Sequence, residues 1–246
     1  MLKKISYRAV IAMLLASATY AEEISIAMGN FEPYFIERKN SGVFADIVSA
    51  AFRYIPGYQP KYVYGHSNKG LWAGFDSGHI DAASNVFDTM KVKGCLSNPV
   101  FRYHDVVISK ASNNVVINQL DDLKLKSIVS FQGAKNILGK SFASVVSAAY
   151  HEVPKPELQV RMLVADRYQV SVGDKYIFLQ AIKNLKTQEI QPQDFKFHDV
   201  FPPTYTRLAF HDKSLCEKFN LALEKIKQNG QYEDIYQSYL MDLHYP

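Results

Sequence analysis

The sequence predicts an α/β protein built as two lobes, and three observations predict it. From residue 22 onward, strand-like and helix-like stretches alternate over the first 110 residues and again from 120 to 186. Such alternation marks sheets of largely parallel strands flanked by helices. Two breaks, "SKASNNV" at 109–115 and "FPPTYT" at 201–206, fall where two crossings between lobes would lie. A single sheet with two long loops is the alternative. The composition, 48% hydrophobic and 21% charged over 246 residues, is ordinary for a globular chain and leaves room for two modest lobes.

Residues 1–21 stand apart. "MLKKISYRAVIAMLLASATYA" has a basic start, an apolar stretch from Ala9 to Ala16 and small residues before Glu22, the three-part layout of a cleaved secretory signal. The apolar stretch is short for a bilayer span; an uncleaved anchor is the competing reading. No cysteine follows it, which argues against a lipid anchor. Cleavage after Ala21 removes Lys3, Lys4 and Arg8 and leaves 25 basic against 24 acidic residues, so the formal charge of +4 is no argument for a nucleic-acid partner.

The elements follow in order. "EISIAMG" alternates and reads as a strand. After the proline of "NFEPYF" and the turn "ERKNSG", Phe44 to Ile55 carries apolar residues at helical spacing until Pro56-Gly57 stops it. Asp46, near its start, is expected to cap or anchor the helix end. "PKYVYG" is a second strand, "LWAGFDSG" a short helix ending at Gly78, "HIDAASNVF" a third strand and "RYHDVVISK" a fourth. In the second half, "LDDLKLKSIVSFQG" is a turn and a strand, "AKNILGKSFASVVSAAY" a helix and "PELQVRMLVAD" another. "RYQVSVGD" is then a strand and "KYIFLQAIKNLK" a helix. "DFKFHDVF" and "TRLAFH" are strands on either side of Pro202-Pro203. The last long helix, "SLCEKFNLALEKIKQNG", carries Ser214 and Glu217 as a capping box and stops at Gly230; "QYEDIYQSYL" adds a short one.

This order of pieces resembles the bacterial family 3 solute-binding proteins, the periplasmic receptors of polar amino acid uptake. The resemblance is carried by "SIAMGNFEPYF", "SGVFADIVSAAF", "DSGHIDAA", "LSNPVF", "LDDLKLKSIVSFQG" and "ALEKIKQNGQYEDIYQSYL", in that order through nearly the whole chain after residue 21. It implies a type II periplasmic binding protein fold, each lobe a mostly parallel sheet flanked by helices, with a two-strand hinge. The lobes would divide as 22–110, 111–202 and a return at 203–246. It implies a monomer that captures a small-molecule ligand between its lobes and passes it to an inner-membrane permease, or reports it to a membrane sensor.

A zwitterionic amino acid needs a cation and helix N–H groups for its carboxylate, an anion for its ammonium, and an aromatic cover. The resemblance places the anion at Asp174, which is equally well read as the N-cap of the following helix. It places the aromatic at Tyr34, with Trp72 as a further candidate and Phe31 read rather as core; Asn85 joins the candidate ligand-binding set. The family's amino acid binders carry an arginine before the "S-x-P" turn. Here "SNVFDTMKVKGCLSNP" has none, and Lys91 or Lys93, otherwise a solvated loop face, would have to supply the charge. Lysine lacks the planar two-point grip of arginine. Where relatives have Gly-Thr, this chain has Gly133-Ala134 followed by Lys135, leaving only backbone N–H groups for an anion. A retained acid beside a lost cation points to an amine-bearing solute rather than an ordinary α-amino acid.

Cys95 and Cys216 are the two cysteines; export would permit a disulfide between them, and two buried thiols are the alternative. Neither has Cys-x-x-Cys or zinc-ligand spacing, so no metal and no cofactor is expected. The seven histidines are scattered, with no nucleophile–base spacing. A dehydratase-like enzyme on the same fold, and a relative acting only through protein contacts, are the competing classes.

Overall fold

The computed structural model describes residues 21–243 apart from 66, 67, 89, 147 and 148. The signal expected at 1–21 lies, but for Ala21, outside the described residues.

The chain builds two sheets. In the first half it lays down β1 (Glu22–Ala27), α1 (Val43–Phe52), β2 (Tyr58–Val63), α2 (Asn68–Asp76), β3 (Ala82–Phe87), β4 (Cys95–Leu96) and β5 (Phe101–Tyr103). It then crosses to β6 (Asp105–Lys110), β7 (Ile128–Phe131), α3 (Ala134–Ile137), α4 (Gly139–Val145), β8 (Tyr150–Val153), α5 (Pro156–Val164), β9 (Val170–Asp174), α6 (Lys175–Leu185) and β10 (Phe195–His198). It returns as β11 (Thr204–Phe210), α7 (Lys213–Gln228) and α8 (Gln231–Leu240). The first sheet runs β2-β1-β3-β11-β4 with β5 also on β11; the second runs β10-β6-β9-β7-β8. Both are mixed. β1 is parallel to β2 and β3, and β7 to β8 and β9, while the strands that carry the crossings, β5, β6, β10 and β11, pair antiparallel.

Only His104 separates β5 in the first sheet from β6 in the second. The first crossing therefore falls at His104, not after residue 110. The polar run "SKASNNV" that suggested the later boundary covers the end of β6 and the turn after it, where Asn114 adopts a left-handed conformation. The return crossing occupies residues 199–203, between β10 and β11.

Two further expectations change. The stretch 134–150 is not one helix: Gly139, at φ +83°, breaks it, and Tyr150–Val153 becomes edge strand β8. The N-cap of α7 is Asp212, whose side chain accepts from the N–H groups of Ser214 and Leu215; Ser214 already lies inside the helix. Cys95 and Cys216 form a disulfide joining β4 to α7, both in the first lobe.

The stretch "SGVFADIVSAAF" is core. Eight of the ten residues of α1 are buried, because the helix sits between its own sheet and α7 and α8. Asp46 anchors it rather than capping it. Its carboxylate accepts the Tyr239 hydroxyl of α8 at 2.6 Å, and the same oxygen of Tyr239 accepts the Gly42 N–H at 3.2 Å. Gly42 starts the helix at φ +122° and ψ 162°, a region essentially reserved for glycine. A Cβ there would also lie 2.4 Å from the Tyr34 carbonyl oxygen, which is backbone and cannot swing away. Gly42→Ala is expected to cost about 2–4 kcal/mol by urea denaturation; a change within experimental error would show the strain to be absent.

Candidate functional site

The last residue of fully buried β9 is Asp174. One oxygen accepts the N–H groups of Tyr176 and Ile177, both at 2.9 Å, which makes Asp174 the N-cap of α6. The other accepts the His104 N–H at 2.6 Å, and the Tyr34 hydroxyl donates to the carboxylate at 3.0 Å. Tyr34 belongs to the first lobe, so this last bond ties the lobes together. Tyr34 is fully buried behind the acid, edge-on to Tyr103 at 5.1 Å and tilted on Phe101 at 4.3 Å.

Facing Asp174 across the β6–β9 pair is Asp105, its direct register partner. Asp105 is also buried and accepts the Thr204 hydroxyl at 2.7 Å. Loss of hydration pushes the Asp105 carboxyl up to about 6, and burial together with the charge of Asp105 pushes Asp174 up to about 7. The two acids line a cavity between the lobes. Asn85, Tyr103, Phe31 and Phe87 border it from the first lobe, and Phe131, Val153, Gln159, Ile177 and Phe178 from the second. Asn85 takes a left-handed conformation within β3 and accepts the Tyr103 hydroxyl at 2.8 Å. Among the described residues no lysine, arginine or histidine lines the cavity. Two buried carboxylates without a cation are costly, and partial protonation or a bound cation relieves the cost.

Of the residues singled out in the sequence, Asn85 and Asp174 meet at this cavity, with Tyr34 behind them. Phe31 supplies an aromatic wall instead of serving as core. Trp72 is half-buried on α2 against the first-lobe core and does not border the cavity. Lys91 and Lys93 are exposed in the segment between β3 and β4 and do not reach it either.

Gly133, Ala134 and Lys135 also lie outside the lining, for a specific reason. The N–H groups of Gly133, at 2.8 Å, and Lys135, at 3.4 Å, donate to Glu152 of β8, which also accepts the Tyr150 hydroxyl at 2.6 Å. Burial works against the charge of Glu152. Hydrogen bonds from Tyr150, Gly133 and Lys135, and the Lys135 ammonium nearby, nevertheless hold its carboxyl below the usual range. The anion at this turn is thus the protein's own. Ala134 is packed in the second-lobe core.

Sequence reasoning missed Asp105 and Glu152. Asp105 is the single acid heading the apolar run "DVVIS", a visible cue; Glu152 was hidden by the helical reading of the residues before it.

Among curated proteins none matches the chain by sequence. Among solved structures, a mutant of ArgBP from T. maritima matches at 17% identity over 89% of this chain and 95% of that one, with a TM-score of 0.70. The GluR0 ligand-binding core in complex with L-glutamate matches at 13% identity over 91% and 99%, with a TM-score of 0.72. A histidine kinase sensor domain with similarity to periplasmic binding proteins matches at 14% identity over 89% and 96%, with a TM-score of 0.70. At these identities the likeness establishes the two-lobed fold. The sequence profile of the bacterial extracellular solute-binding proteins, family 3, matches residues 24–242. With nearly all the described residues covered, the chain belongs to that family.

Proposed function

We propose that this solute-binding protein works in the periplasm as a receptor for a small amine-bearing solute. Loaded, it presents the solute to an inner-membrane permease or reports it to a membrane sensor. We read it as a binding protein without a catalytic step, in keeping with its family. The observation that carries the ligand class is the charge of the cavity: two buried carboxylates and, among the described residues, no cation. Glu152 supports it, because the N–H groups that would take a ligand carboxylate already hold an internal one. The two partner types follow from the solved relatives, which include the substrate-binding protein of an amino acid ABC transporter and a kinase sensor domain.

The test is thermal unfolding of residues 22–246 with matched pairs: phenethylamine and phenylalanine, cadaverine and lysine, agmatine and arginine. A ligand that binds only the folded state stabilises it by about 2.7 kcal/mol at a hundredfold excess over Kd, or roughly 5–10 °C for a chain of this size. The midpoint is expected to rise with at least one amine and to stay put with its amino acid. A rise confined to the amino acids would reject the amine reading. No rise with any compound would favour a relative that acts through protein contacts.

A further inference from the structure

We propose that Asp105, and not Asp174, is the carboxylate that takes the positive charge of the ligand, and that the solute is a primary monoamine on an apolar body. This rests on the amine reading above and names its site and its ligand class.

The two acids differ in how fully the protein uses them. A carboxylate offers about four acceptor positions. Asp174 meets four donors: the N–H groups of Tyr176, Ile177 and His104, and the Tyr34 hydroxyl. It is a helix cap and a lobe tie, with no acceptor position left over. Asp105 accepts one side-chain donor, the Thr204 hydroxyl, through one of its oxygens. Among the described residues no protein donor meets the other oxygen, although the side chain borders the cavity and the residue is only 4% exposed. A buried carboxylate with so little support destabilises the fold wherever it is ionised. An asparagine would keep the Thr204 bond without the charge. An acid at this position becomes favourable when a cation sits against it.

The surroundings define the rest of the ligand. Phe31, Phe87, Phe131, Phe178 and Val153 wall the cavity, so the part away from the charge meets apolar surface. The other carboxylate that lines the cavity, Asp174, is saturated and leaves no acceptor position for a second ammonium. A quaternary ammonium has no N–H to give the open oxygen of Asp105. Asp105 also sits where capture can be felt by the hinge. It is the first residue after the first crossing, and Thr204, its donor, is the first residue of β11 after the second.

The test uses Asp105→Asn and isothermal titration with phenethylamine. The wild type is expected to bind it more tightly than cadaverine. Asp105→Asn should bind it at least about thirtyfold more weakly, although its ligand-free thermal midpoint at pH 8 equals or exceeds that of the wild type. Binding by Asp105→Asn within threefold of the wild type would overturn the assignment. Should Asp105→Asn fail to fold, Asp174→Asn decides between the two acids. It should bind phenethylamine within about threefold of the wild type, and a loss of about thirtyfold would overturn the assignment. The pH dependence of the wild type tests that a buried carboxylate is used at all. Burial holds the Asp105 carboxyl at about 6, with Asp174, Tyr103, His104 and Thr204 as the groups that face it. Affinity for phenethylamine must therefore rise from pH 5 to pH 8, and a flat profile overturns the assignment. Cadaverine or agmatine bound in preference to phenethylamine would reject the monoamine class while leaving the amine reading in place. No amine bound at all would reject both.

Discussion

Breaking the Cys95–Cys216 disulfide, by reduction or as the Cys95→Ser/Cys216→Ser variant, is expected to lower the unfolding free energy by about 3–5 kcal/mol. The cysteines are 121 residues apart, so the bridge closes a long loop and removes much of the freedom of the unfolded chain. The folded side matters as well. β4 is a two-residue strand at the end of the first sheet, held by its pairing with β11, and the bridge pins it to α7. Thermal unfolding with and without reductant checks this, and a midpoint drop of about 10 °C is expected. A drop under about 2 °C would mean that packing around Cys216, which is fully buried, holds the segment without the bond.

Glu152→Ala is expected to have two effects at once. It removes an acceptor shared by Gly133, Lys135 and Tyr150, at a cost of about 1–3 kcal/mol, since charge-assisted bonds are lost and their donors are left behind. It also vacates the turn between β7 and α3. Phe131 and Ile137, on either side of that turn, border the cavity, so the vacated turn would lie just behind the cavity wall. The variant should gain thermal stabilisation from phenylalanine, an amine that carries a carboxylate, where the wild type gains none. A variant destabilised as expected but still indifferent to phenylalanine would show that Glu152 is structural and does not govern ligand choice.

Much of the fold was legible because its signals are local. Alternation in "EISIA", the helical spacing of "VFADIVSAAF" and the apolar residues Phe219, Leu223 and Ile226 of α7 each depend on a few neighbours, although Leu221, read with them, is exposed. The misreadings arose where distant contacts decide. "SAAYHEV" has no strand signature of its own; Tyr150–Val153 is a strand because β7 lies beside it in parallel register. Asp212 rather than Ser214 caps α7 because the helix begins two residues earlier than its apolar pattern suggests. The site was legible in part. Asp174 is marked by its place between an apolar strand and a helix, and that same place gives it the capping role that saturates it. Asp105 and Glu152 matter through partners 99 and 19 residues away, Thr204 and Gly133, which no short-range pattern connects.

Tyr103 and Thr204 face each other in the antiparallel pair β5–β11, so the chain departs for the second lobe and comes back at neighbouring points, about 5 Å apart. Residues 104–203 thus form a cassette between two adjoining ends of an otherwise continuous hairpin. A two-residue turn is the natural closure for such ends. Cys95, Cys216, α1 and the C-terminal helices all lie outside the cassette. The first lobe can therefore accept a different insert without altering its own strand register. Gene-level exchange of the insert would change half of the cleft, Asp105, Glu152 and Asp174 included, while the receptor's other half stays as it is.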